Sequence, residues 1–340
     1  MRNISMSGWG LIGASTIARQ FMVSAIRSQP NQTIRAIQSN NIDRAEEFAV
    51  QHGIPAAFAS VNSLLADPEV HAVYISSTND LHYSHAMAAI AAGKHVLCEK
   101  PIALNVGHAK EMARAARDAN LVLATNHHLR NAASHQKIRE LIRSDAIGKI
   151  LFARIFHAVD LPTNLQSWRV KNASAGGGVI LDITVHDIDT LRFAMECEPV
   201  EVVGLSQKTN MSSDGLEDGV MAVIRFENGA LVQLHDAFTV KYSETGIEFH
   251  GEKGSIYGRN VMTQNPVGTV ILRDAEGEVD VPLAPHDLYE TGVAAFLAAV
   301  RGERAPAATA EDGIRSLLAA QAVVAACATG SRQEIHIEKA

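Results

Sequence analysis

Trp9-Gly10-Leu11-Ile12-Gly13-Ala14-Ser15-Thr16-Ile17-Ala18 is the stretch that decides the fold. An apolar run enters a glycine turn, and the chain leaves it as a helix predicted from Thr16 to Arg27. A dinucleotide site needs a tight turn, a close backbone approach to pyrophosphate and a small residue for helix–strand packing. Gly13 and Ala18 meet the first and third needs, and Ser15 stands in place of the usual middle glycine. Taken alone, these residues also fit an ordinary strand-to-helix turn, so the surrounding pattern has to decide.

That pattern is regular. Strands are predicted at Thr33–Ser39, Ala72–Ser76, His95–Glu99 and Leu121–Thr125, with helices at Ile42–His52, Asn62–Ala66, Tyr83–Ala92 and His108–Ala119 between them. Such alternation implies βαβ units and a parallel sheet. Residues 1–125 therefore read as a doubly wound Rossmann domain, and the turn at Gly13 as its nucleotide site. After Asn126 the texture changes. A helix at Ser134–Ser144 and a strand at Lys149–Ala158 precede Gly176-Gly177-Gly178. Six further strand segments then run from Val200 to Arg273, several joined by Glu-Asn-Gly, Gly-Glu-Lys-Gly and Ala-Glu-Gly hairpin turns. Helices at Tyr289–Arg301 and Glu311–Thr329 follow. Residues 126–340 read as an α/β domain with an open, mainly antiparallel sheet, one face of which is available for packing elsewhere.

The 340 residues are 47% hydrophobic and carry a net charge of −7. No cluster of Lys and Arg offers a nucleic acid or an anionic membrane a surface. Cys98, Cys197 and Cys327 lack paired spacing and read as free thiols in a reducing compartment. The apolar run Leu317–Ala328 is too short to span a bilayer, and no basic region precedes an apolar core at the N-terminus. These features point to a cytoplasmic protein with a small-molecule partner.

Two segments carry the chemistry. Val96-Leu97-Cys98-Glu99-Lys100-Pro101 reads as a buried strand delivering Glu99 and Lys100 at its carboxyl end, where open α/β sheets bind ligands. Gly176 to His186 reads as a glycine turn leading into a helix with Asp182 and His186 four residues apart on one face. Lys100 suits charge stabilisation at a developing alkoxide, and His186 or Lys100 suits proton donation. Asp182 would orient His186 or the substrate. Plainer roles are an ion pair of Lys100 with Glu99 and a helix-dipole contact for Asp182. A metal bound by Asp182, His186 and His127, His128 or His235 is not expected, because 15 scattered histidines make such pairs common. Ser39-Asn40-Asn41 puts no carboxylate at the end of the second strand, and Arg44 follows, which favours NADP(H) over NAD(H).

With these motifs the chain resembles the Gfo/Idh/MocA oxidoreductases over essentially its whole length. The resemblance implies a Rossmann domain followed by an open-sheet α/β domain, and NADPH-dependent reduction of the ketone of a sugar-derived substrate. It implies that Gly13, Ser15, Thr16, Ile17 and Ala18 form the pyrophosphate turn, and that Ser39, Asn40 and Arg44 take the 2′-phosphate. Ser77, Thr78, Asn79 and His82 would line the nicotinamide half, with Glu99, Lys100 and Asn126 flanking the ring. Trp168, Arg169 and Tyr289 would stand near cofactor and substrate, Arg169 joining Lys100, Asp182 and His186 in substrate binding. A dehydrogenase of another sugar or polyol, such as an inositol, and a non-catalytic NADP-sensing regulator are the competing readings. Monomer and homo-oligomer are both open.

Overall fold

The computed structural model describes residues 7–337. Residues 1–6 and 338–340, which the two expected domains include, lie outside the described residues. Two compact units emerge, one of Met1–His127 with Tyr289–Ile314, the other of His128–Leu288 with Arg315–Ala340. No helix among the described residues is long and apolar enough to cross a membrane.

The first unit is a parallel sheet of β1 (Gly8–Ile12), β2 (Thr33–Gln38), β3 (Ala56–Phe58), β4 (Ala72–Ile75), β5 (His95–Cys98) and β6 (Leu123–Thr125), in the order β3-β2-β1-β4-β5-β6. Every residue of β1 and β4 is buried, as expected for strands covered on both faces. The connecting helices include residues 16–27, Ile42–His52, His82–Ala91 and Val106–Asp118. Asn41 and Asn105 cap two of them by accepting backbone N–H groups of the first turn. The chain moves outward from β1 through β2 to β3 and then returns to β4 on the other side. That reversal makes the carboxyl ends of β1 and β4 the switch point where such sheets bind ligands.

The helix Leu288–Val300, which follows the second sheet in sequence, groups from Tyr289 onward with the first unit. Its Phe296 packs on Trp9, with ring centroids 5.3 Å apart, and Tyr289 stacks on Phe21 at 4.7 Å.

The second unit is built on a nine-stranded sheet. In chain order its strands are β7 (Ile150–Ala158), β8 (Pro199–Gln207), β9 (Gly219–Phe226), β10 (Leu231–Ala237), β11 (Gly246–Gly251), β12 (Gly254–Arg259), β13 (Thr269–Asp274), β14 (Gly277–Val281) and β15 (Gln333–Glu334). They lie in the order β14-β13-β12-β11-β7-β10-β9-β8-β15, all antiparallel except the parallel pair β7 and β10. Ile155, Ile224, Val232, Leu234 and Phe249 form its inward face, packed in one core with Ile188, Leu191 and Val323. The opposite face leaves Phe152, Met221 and Leu205 exposed. The expected hairpins are present at Asn228-Gly229, where Gly229 has φ 87°, and at Gly277, where φ is 132°. β3, β14 and β15 are additions to the sequence reading. None buries a full face: β3 and β15 are too short to show an alternation, and the alternation Glu278-Val279-Asp280-Val281 in β14 leaves Val279 exposed.

A polar knot pins the turn His128–Asn131 to the helix Val185–Met195. Arg130 holds Asp189 through two 2.7 Å bonds. Arg192 and Ser316 also reach Asp189, and Arg192 binds Glu198 at 2.5 and 2.8 Å. Asp189→Ala would leave two buried guanidinium groups without their shared carboxylate, a loss of about 3–5 kcal/mol. The chemical-denaturation midpoint should fall accordingly, and an unchanged midpoint would contradict the pairing.

Candidate active site

The first unit gathers its site residues at the carboxyl ends of β1, β2, β4, β5 and β6. Gly13 has φ 107°, and a Cβ there would lie 2.7 Å from the Ser77 nitrogen and 2.8 Å from the Ser76 carbonyl oxygen. Only glycine lets the ends of β1 and β4 meet so closely. The Ser15 N–H donates back to the Gly13 oxygen at 2.9 Å, closing the turn. The Ser15 hydroxyl accepts the Ala18 N–H at 3.1 Å and donates to Ser76 Oγ at 2.7 Å. The serine in the middle glycine position is therefore built into the turn as a helix cap and a tie to β4. The first turn of the helix begins at Thr16 and Ile17, and Ala18 packs without exposure. Glycine-only backbone approach, a helix start and a small third residue fit a dinucleotide pyrophosphate.

At the end of β2, Asn41 caps the following helix by accepting the Arg44 N–H at 3.1 Å. The Arg44 guanidinium donates from Nε and Nη2 to the Ala14 carbonyl at 3.1 and 2.6 Å. Arg44 is thus anchored on the glycine turn, and is not a freely solvated helix residue. Asn40 Oδ1 accepts from Gln38 Nε2 at 3.0 Å, and Ser39 Oγ lies 3.4 Å from the Asn41 N–H.

At the ends of β4 and β5, His82 is fully buried, with Nδ1 2.8 Å from the Pro101 oxygen and Nε2 3.2 Å from the Ser77 oxygen. The ring bridges the loop that carries Ser77, Thr78 and Asn79 to the loop that carries Lys100. Burial lowers the His82 pKa, and the two carbonyls oppose that shift. Ser77 Oγ also meets His85 Nδ1 at 3.1 Å, and burial takes His85 down to about 4. Glu99 accepts two hydrogen bonds on the same oxygen, from the Tyr74 hydroxyl and from Asn126 Nδ2, each 2.6 Å. Burial raises the Glu99 pKa against the pull of Tyr74, Asn126 and Lys100. Lys100 follows directly and is half-buried. Tyr289 is buried against Phe21 in the same unit.

In the second unit, Gly178 has φ 103°, and its N–H donates to the Arg169 oxygen at 2.8 Å. Glu217 Oε1 accepts the Ile180 N–H at 3.1 Å, and a Cβ on Gly178 would sit 2.3 Å from that carboxylate. The next turn, Ile180–Thr184, is π-helical and carries Asp182; the α-helix Val185–Met195 follows and carries His186. The α-helical spacing read from the sequence is therefore interrupted between Asp182 and His186 by a wider turn, a form that recurs at functional sites. Asp182 Oδ2 takes the Arg169 Nε at 3.2 Å, and the Arg169 guanidinium lies 4.7 Å from the Trp168 ring centroid. His186 is buried, its ring edge-on to His128 at 4.6 Å.

The structure thus brings Trp168, Arg169 and Asp182 together in one unit and Glu99, Asn126 and His82 in the other. Sequence reasoning missed Tyr74, Glu217, His157 and Asp236. Neither Tyr74, in an apolar strand, nor Asp236, in a strand that also carries Gln233 and His235, stands out before the fold is known.

Comparison with known proteins agrees with this fold. The Gfo/Idh/MocA oxidoreductase family, NAD-binding Rossmann fold, matches residues 7–127, and the family's C-terminal domain matches residues 135–257. The 1,5-anhydro-D-fructose reductase of Ensifer adhaerens is 54% identical over 331 residues, covering 97% of this chain and 99% of that protein. The myo-inositol 2-dehydrogenase of Thermotoga maritima is 30% identical over 83% of this chain and 85% of its own. Among solved structures, the aldose-aldose oxidoreductase of Caulobacter crescentus, complexed with glycerol, shares the fold with a TM-score of 0.88 at 22% identity. That match covers 96% of this chain and 99% of the other.

His135, in the second unit, gives a pH test of this buried chemistry. Burial, with the charge of His157, lowers its pKa from 6.5 to about 4. The unfolded chain binds that proton first as pH falls, so the stability the neutral ring contributes is lost from about pH 6.5 downward. Between pH 7 and 5 the loss should be about 2 kcal/mol. Denaturation of His135→Gln at both pH values should show a difference smaller by that amount; an equal pH dependence would refute the assignment.

Proposed function

The chain belongs to the Gfo/Idh/MocA oxidoreductase family, and from that premise we propose that it reduces the C2 ketone of 1,5-anhydro-D-fructose to 1,5-anhydro-D-mannitol with NADPH. The observation that carries this reading is the near full-length 54% identity to a reductase of that name. Stretches that support the likeness include Thr125–Ala132, Gly176–Asp187, Gly258–Gln264 and Pro266–Val270.

Ketone reduction needs hydride at carbon and a proton at the developing alkoxide. A bound reduced nicotinamide supplies the hydride. The turn Gly13–Ala18 would hold its pyrophosphate, and the loops bearing Ser77, Thr78, Asn79 and His82, with Glu99 and Asn126, its nicotinamide half. Glu99 keeps the Asn126 amide in place, and His82 steadies the loop around Lys100. Lys100 is assigned charge stabilisation at the substrate oxygen, and His186 or Lys100 proton donation. Asp182 would be held by Arg169 as an oriented acceptor for a substrate hydroxyl or for His186, with Trp168 backing the guanidinium. NADPH is favoured over NADH because Ser39, Asn40 and the anchored Arg44 replace the carboxylate that would bond the ribose hydroxyls. Tyr289 would act through packing behind the cofactor half.

A polyol dehydrogenase is the second reading, favoured by the 30% identical myo-inositol 2-dehydrogenase. Cofactor-linked oxidation of inositols with no ketone reduction would select it.

Two measurements test the proposal. Lys100→Met and His186→Ala should each lower ketone-dependent NADPH oxidation by about 10²–10⁴-fold; near-normal turnover in both would refute the roles. Arg44→Ala should weaken NADPH binding by roughly tenfold to a hundredfold while leaving NADH binding little changed. Equal weakening of both would mean that Arg44 supports the turn only.

A further inference from the structure

Next to the π-turn that carries Asp182 lies a set of titratable groups that the proposed reaction does not use. Asp187 follows His186 in the chain, and Asp236 projects from the inward face of β10; both are fully buried. His157 on β7 is the register partner of Asp236 on the adjoining parallel strand, and its Nδ1 lies 2.9 Å from Asp187 Oδ1. Thr184, the last residue of the π-turn, donates its hydroxyl to Asp236 Oδ2 at 2.5 Å. Asp187 is the neighbouring charge that acts most strongly on Asp236, whose Oδ1 is buried and receives no N–H or O–H among the described residues.

Two neighbouring carboxyl groups can bond only through a proton, because ionised carboxylates only accept. Asp187 takes the imidazole N–H of His157 and is the natural anion. Asp236, bonded through Oδ2 to the Thr184 hydroxyl, is the natural acid. Burial first, then the charge of Asp187, pushes the Asp236 carboxyl well above the ordinary carboxylate range, which agrees with that division.

Thr184 and Asp187 bracket His186 in the chain, and Asp182 stands two residues before Thr184. We propose that Asp187 and Asp236 share one proton, and that this acid–carboxylate pair, with His157 and Thr184, positions the π-turn bearing Asp182 and the helix start bearing His186. All four are positioning residues, and the inference rests on the roles given above to Asp182 and His186. A carboxylic acid and a primary amide offer the same donor and acceptor, so Asp236→Asn should reproduce the acid. Asp187→Asn cannot accept from both His157 and Asp236, and Asp236→Val removes the bond to Thr184.

The experiment pairs infrared spectroscopy with kinetics on the full chain. A protonated-carboxyl stretch that shifts in heavy water should be present in the wild type and absent from Asp236→Asn. Asp236→Asn should keep kcat within about threefold, whereas Asp187→Asn and Asp236→Val should lose about a hundredfold, the cost of a small misplacement of reacting groups. KM for NADPH should stay unchanged in all three, and thermal melts should show each folded at the assay temperature. Absence of the band, or equal losses in Asp187→Asn and Asp236→Asn, would overturn the proposal. A wild type that shows the band yet reduces no ketone would refute the substrate reading while supporting the shared proton.

Discussion

The first unit depends on one steric constraint, the approach of β1 to β4 at Gly13. A methyl group there would collide with the backbone of Ser76 and Ser77, so the turn exists only with glycine. Once the strands close to that distance, other contacts become possible. The Gly13 N–H reaches the Gln38 carbonyl at 2.9 Å, the Ser15 hydroxyl reaches Ser76, and Arg44 folds onto the Ala14 carbonyl. The ends of three neighbouring strands are thereby fixed to one another at the sheet's reversal of order. A turn formed in this way is fixed before any ligand arrives, and in its proposed role of holding pyrophosphate that would limit the ordering cost of binding.

The second unit solves a different problem. It has to present ionisable side chains from a helix that packs on an apolar sheet. Ten of the eleven residues of Val185–Met195 are buried, among them His186, Asp187 and Asp189. Burying that much polarity is costly unless each group is bonded. The unit answers with Arg130 and Arg192 on Asp189, His157 on Asp187, and Thr184 on Asp236. Glu217 supplies the acceptor for the backbone at the start of the π-turn, and Gly178 makes room for it.

Much of this was readable in the chain. Hydrophobic alternation and turn residues located most helices and strands of both sheets, because each of those elements buries an apolar face. The short edge strands were not readable: Gly277–Val281 is exposed along most of its length, and Ala56–Phe58 is only three residues long. The site motifs at Gly13, Glu99-Lys100 and Gly178–His186 could be named because their residue types carry their chemistry. Their supports could not. Tyr74 looks like one more apolar strand residue until its hydroxyl is seen on Glu99, and Asp236 becomes informative only when the register sets it beside His157. Long-range partnership is a property of topology, and one sequence does not display it.

The central claim is that this chain reduces the ketone at C2 of an anhydro sugar. Reduction of 1,5-anhydro-D-fructose with NADPH deuterated at the transferable position of the nicotinamide, followed by NMR of the product, tests it most directly. The account predicts 1,5-anhydro-D-mannitol carrying one deuterium at C2. Product without deuterium at that carbon, the epimeric alcohol, or unchanged ketone after prolonged incubation with bound NADPH would contradict it.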